Sequence, residues 1–135
     1  PSRDSVFRYR EGQYGPAIAL SNLVAGEVNE SSGLASSTRY PDIFWTHNDS
    51  GGSNALFAFD RKGRSVARLT VSGRSNVDWE DMAEGAGNTL WIGDFGNNAL
   101  NRSNLAVYQL TEPTFNPQGT SQNLSAPSTR YPFTF

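Results

Sequence analysis

The residues best suited to chemistry in this chain fall in four short polar clusters. They are Glu30-Ser31-Ser32-Gly33, His47-Asn48-Asp49-Ser50-Gly51, Asp78-Trp79-Glu80-Asp81 and Gly93-Asp94-Phe95-Gly96-Asn97-Asn98. Carboxylate and amide oxygens without thiolates or several histidines make a hard-cation ligand set, which suits Ca2+ more naturally than Zn2+, with Mg2+ also open. The metal-ligand candidates are Asn48, Asp49, Asp78, Glu80 and Asp94, with Glu30 a lesser member. Asp78, Glu80 and Asp81 put three acids within four residues. Such charges repel unless they are solvated or neutralised by a cation or an arginine, and Arg74 stands close enough in sequence to serve. Asn48-Asp49-Ser50-Gly51 has a second reading as a plain turn, because Asn and Asp before glycine bond their own backbone.

His47 is the only histidine and so the only side chain whose unperturbed pKa lies near neutrality. With Glu80 it is the candidate general base of a hydrolase, and a bound metal would polarise an ester or phosphoester substrate. No serine sits in a Gly-x-Ser-x-Gly elbow and no glycine-rich phosphate loop is present. Asn48, Trp79 and Asn97 are candidate contacts for a small polar ligand, Trp79 because it lies inside the acidic cluster. Trp45 and Trp91 read instead as packing residues.

The elements that must position these clusters are short. Apolar runs of strand length, Asp42–Thr46, Ala55–Phe59, Ser65–Val71, Trp79–Ala83, Thr89–Gly93 and Leu105–Leu110, alternate with turn residues, and no helical period is present. Two end segments, Val6–Arg10 and Thr129–Phe135, also read as strands, and a Pro-, Asn- and Ser-rich stretch over 112–128 reads as a long loop. The chain is therefore expected to be all-β.

The strands come in two similar series. Ser32-Gly33-Leu34-Ala35 falls on Glu80-Asp81-Met82-Ala83 at an offset of 48, and Trp45-Thr46-His47-Asn48 falls on Trp91-Ile92-Gly93-Asp94 at an offset of 46. A repeat of about 45 residues built from four short antiparallel strands is that of a β-propeller blade. The other architecture open to the pattern is a β-sandwich. In the propeller reading, residues 1–27 form a lead-in with an N-terminal strand, 28–73 a first blade and 74–135 a second. Blade inner strands start at the channel mouth, so the polar clusters would converge there. Rings take about 4 to 8 blades, so the missing ones would come from the same polypeptide, a second chain or further copies of this one.

Composition narrows the partners. Among 135 residues, 11 basic and 13 acidic side chains leave a formal charge of -2, which provides no basic surface for nucleic acid or anionic membranes. No apolar run reaches the roughly 20 residues of a membrane span, and the absence of cysteine excludes disulfides and thiolate sites.

At the polar clusters the chain resembles bacterial exported β-propellers of the SdiA-regulated type and related propellers labelled esterase-like or phytase-like. The resemblance rests on Glu30-Ser31-Ser32-Gly33-Leu34-Ala35, Trp45-Thr46-His47-Asn48-Asp49-Ser50-Gly51, Leu56-Phe57-Ala58-Phe59-Asp60, Asp78-Trp79-Glu80-Asp81-Met82-Ala83 and Trp91-Ile92-Gly93-Asp94-Phe95-Gly96-Asn97-Asn98, and covers about Val28 to Pro113. It implies a secreted or periplasmic ring of twice this length or more. Three functions follow as expectations: a binding or scaffold module with Ca2+ or a small polar ligand at the channel mouth, a metal-assisted hydrolase, or a self-assembling structural protein.

Overall fold

The computed structural model describes residues 14–134; the expected strand at Val6–Arg10 lies outside the described residues. Within them the chain forms nine strands and no helix: β1 (Ser31–Ser36), β2 (Ile43–Asn48), β3 (Ala55–Asp60), β4 (Ser65–Val71), β5 (Trp79–Gly85), β6 (Thr89–Asp94), β7 (Ala106–Thr111), β8 (Gln122–Ala126) and β9 (Thr129–Pro132). They make two sheets, one ordered β1-β2-β3-β4-β8 and the other β5-β6-β7-β9. Pairing is antiparallel throughout except for β8, which runs parallel to β4. Each sheet thus contains four strands joined in antiparallel order, and the all-β expectation holds.

The hairpin between β3 and β4 shows how local chemistry sets register. Asp60 accepts hydrogen bonds from the backbone N–H of Lys62 and Arg64 and from Arg64 Nε, while Gly63 takes φ 76° in the turn. A side chain at Gly63 would also strike the carbonyl of Asn22, so only glycine fits. Asp60 and Arg64 form an ion pair at 3.0 Å across the same turn.

One face of the first sheet packs on one face of the second. On β2, Ile43, Trp45 and His47 point inward, and they share that face with Leu56, Ala58, Ala67, Leu69 and Val71. The second sheet meets them with Trp79, Met82, Leu90, Ile92, Tyr108 and Leu110, which belong to the same apolar core. Trp45 and Trp79 are both fully buried. The edge strands β1 and β5 lie side by side, with Ser32 Oγ donating to the Glu80 carbonyl at 2.9 Å.

The stretch over 112–128, expected to be a loop, holds β8. The chain leaves β7 of the second sheet, pairs with β4 at the edge of the first, and returns to the second sheet as β9. Leu124 and Ala126 stand opposite Leu69 and Val71, so this strap adds apolar contact to the shared core. The structure therefore crosses the boundary between the two repeats, because residues 122–126 of the second complete the sheet of the first.

Candidate functional site

Both edge strands are bulged at their first turn of pairing. In β1 the partners run from Ser31↔Asn48 to Leu34↔Thr46, and in β5 from Trp79↔Asp94 to Asp81↔Gly93, so each strand carries one extra residue there. A bulge leaves its extra residue unpaired and re-aims the neighbouring side chains. Glu80 is the unpaired residue of β5. Its position brings it to the end of the sheet where β2 runs out into Asp49 and where Asp78 precedes β5.

Asp49, Asp78 and Glu80 converge here, each half-buried, and each offers a carboxylate oxygen within 4.8 Å of the other two. One acid comes from the first sheet and two from the second. Gly96 closes the cluster from the chain after β6: a Cβ there would collide with the Asp78 carboxylate and with Glu80 Oε1, and its N–H donates to the Asp78 carbonyl at 3.1 Å. Burial, and then the charges of Asp78 and Asp49, push the Glu80 carboxyl above the ordinary range, offset in part by His47. None of the ion pairs among the described residues involves the three acids. Arg74 is committed elsewhere: its guanidinium donates to Ser128 Oγ and the Ser128 carbonyl, both at 2.9 Å, and lies over the Tyr108 ring.

The remaining candidates take other positions. Asp94 is buried behind the cluster, where Oδ1 accepts from Arg102 Nη2 at 2.9 Å and from the Asp78 N–H at 3.1 Å, and Oδ2 accepts from the Tyr108 hydroxyl. The Asn48 amide fastens the chain before β1: Oδ1 accepts from the N–H groups of Asn29 and Glu30, and Nδ2 donates to the Glu27 carbonyl. Asn97 accepts from the N–H groups of Asn101 and Arg102, holding the loop after β6. Glu30 is exposed outside the trio, and Trp79 is fully buried, its ring edge-on to His47 at 5.8 Å.

His47 is fully buried too. The Asn48 carbonyl can only accept, so Nδ1, 2.8 Å away, donates to it and carries the proton. Nε2 has no hydrogen-bond partner and points toward Gly33, where any side chain would collide with it. The imidazole has no access to solvent.

Two residues outside the predicted set organise the same region and its opposite end. Asn76, whose amide donates to the carbonyls of Asn48 and Asp49 and accepts from the Trp79 N–H, ties the strand carrying Asp49 to the one carrying Glu80. At the far end of the sheets Glu112 is fully buried; Oε1 accepts from Trp45 Nε1 at 2.9 Å and from Ser37 Oγ, while Arg39 grips its backbone carbonyl. In the sequence Asn76 was one asparagine among many, and Glu112 stood at the start of an apparent loop.

No family model, no curated protein and no solved structure matches the chain. The fold and site define an all-β protein of two packed sheets whose adjoining edge strands gather three carboxylates at one end. Among the described residues no helix is long and apolar enough to cross a membrane.

Proposed function

We propose that this chain is part of an extracytoplasmic β-propeller whose inner strands bind a divalent cation, Ca2+ before others, as a binding or scaffold module. The carrying observation is the meeting of Asp49, Asp78 and Glu80 from two different sheets with no arginine or lysine in ion-pair contact among the described residues. Calcium–oxygen distances of about 2.3–2.6 Å let three oxygens spread evenly round the ion stand up to about 4.5 Å apart, so a trio within 4.8 Å of one another lies close to what one Ca2+ can gather. Magnesium, at about 2.0–2.1 Å, demands a tighter and more nearly octahedral set of oxygens and usually keeps several waters. Three carboxylates on an open sheet end suit the weak, roughly 10⁻⁴–10⁻³ M class of extracellular calcium sites, which fill only where Ca2+ is abundant.

The propeller reading draws support from the repeat and from the sheets. Each repeat supplies four antiparallel strands to its own sheet, β8 of the second crossing to the first, and the equivalent strands β1 and β5 are neighbours. The hydrolase alternative needs a base within reach of substrate; His47 is fully buried, which leaves Glu80 alone in that role.

Calorimetric titration with CaCl2 tests the site. We expect one Ca2+ per chain, loss of binding in an Asp78→Asn/Glu80→Gln double variant, and a stabilisation of about 2.7 kcal/mol at a hundredfold excess over Kd. Absence of heat and of any shift in melting at 10 mM Ca2+, on the order of ten times the weakest expected Kd, would overturn the proposal.

A further inference from the structure

The packing of the two sheets is head to tail, and it leaves one face of each kind without a partner sheet. The inward face of the first sheet carries Trp45 beside Ala35, and the face turned the same way in the second sheet carries Trp91 beside Ala83, in the same pairing. Trp45 is fully buried against the second sheet, whereas Trp91 is only half-buried, with Tyr131 at 5.7 Å as its ring neighbour. On the opposite faces, Met82, Leu90 and Ile92 of the second sheet are buried against the first. By the repeat, their counterparts are Leu34, Phe44 and Thr46, of which Thr46 is buried and Phe44 half-buried. Leu34 is 61% exposed where Met82 is 5% exposed. Leu34, Phe44 and Phe59 line a largely apolar groove of about 480 Å3 with Ile18, Leu20 and Leu23.

We propose that these two open faces bind each other between copies of this chain, the Trp91 face of one copy seating on the Leu34–Phe44 groove of the next. The inference rests on the propeller reading. The chain already contains this interface once, between Trp45's face and the Met82–Leu90–Ile92 face, and the two surfaces without a partner sheet are its register equivalents. A head-to-tail interface of this kind repeats until the ring closes. Rings of about 4 to 8 sheets correspond to about two to four copies.

Light scattering and native mass spectrometry on the whole chain read the outcome. A closed particle at two, three or four times 14.7 kDa is expected. Trp91→Glu and Leu34→Glu should each reduce it to monomer, and neither residue is fully buried, so circular dichroism should show both variants folded. Mixing the two variants should restore a particle of two chains, since each retains one sound face. A monomer at every concentration, or an assembly indifferent to both substitutions, would overturn the proposal. The carboxylate trio lies within one chain, so the Trp91→Glu monomer should still bind Ca2+. Calcium binding lost with assembly intact would instead strike the site reading.

Discussion

Two carboxylate centres sit at opposite ends of the same pair of sheets, and they are built on opposite terms. Glu112 is fully buried and its Oε1 is met by two protein donors, Trp45 Nε1 of β2 and Ser37 Oγ just past β1, while its Oε2 has no hydrogen-bond partner; Glu112 itself follows the last residue of β7 in the second sheet. Asp49, Asp78 and Glu80 are half-buried and face one another. A buried acceptor supplied with N–H and O–H donors is a fastening, since removing it leaves those donors desolvated and unpaired. Like charges held together with few such donors, here the Ser50 N–H on Asp49 Oδ1 at 2.7 Å, repel one another, and a cation or a proton relieves that repulsion. The same residue types therefore hold the fold at one end and, in the proposed reading, offer their charge to a cation at the other.

The sharpest way to break this contrast is to delete each centre in turn. Glu112→Ala strands the Trp45 indole N–H and the Ser37 hydroxyl between the sheets, and should cost roughly 2–4 kcal/mol in chemical denaturation. Glu112→Gln keeps an acceptor oxygen and should lose markedly less. If Glu112→Ala were neutral, the far end would not be a fastening. Asp78→Asn/Glu80→Gln should act in the other direction: without calcium it removes repulsion between partly solvated groups and should stabilise by a few tenths to about 1 kcal/mol. Melting curves in chelator separate the two outcomes by sign, and a destabilised double variant would mean that the trio serves the fold.

The contrast also separates what local sequence carries from what it does not. The strands β2, β3, β4, β6 and β7 follow apolar runs that the sequence displays, and the observed bounds depart from the expected ones by two residues at most. β8 was invisible because Gln122-Asn123-Leu124-Ser125-Ala126 offers little apolar content; it is a strand by virtue of the β4 edge beside it, a partner more than 50 residues away. At the site, the density of acids marked Asp78 and Glu80, and the repeat placed Asp49 near them. Asn48, Asp94 and Asn97 looked equally oxygen-rich, yet their side chains bond backbone and arginine, a use that depends on folded geometry. Glu112 gave no signal, because its partners lie 67 and 75 residues away.

The smallest expected effect is in the pH dependence, and it follows from the sign of one shift. Burial and the charges of Asp78 and Asp49 raise the Glu80 pKa in the folded state, so the fold binds this proton more tightly than the unfolded chain does. Its contribution is fully present below the unfolded value of 4.5 and is lost as pH rises through the raised folded value. Asp60 opposes it. There burial acts upward, but the hydrogen bonds from Arg64 and Lys62 outweigh it and lower the pKa, so that contribution is present above the unfolded value of 3.8 and fades as pH falls. Comparing the chain with Glu80→Gln across pH 4–8 isolates the first effect: the variant should gain stability relative to the parent as pH rises, and the gap should close when Ca2+ is added at neutral pH. Calcium closes it because a bound cation favours the same ionised Glu80 that the protein alone disfavours. A gap unchanged by calcium would mean that the charge at Glu80 is answered by something other than a metal, and the two ends of the molecule would then differ only in degree.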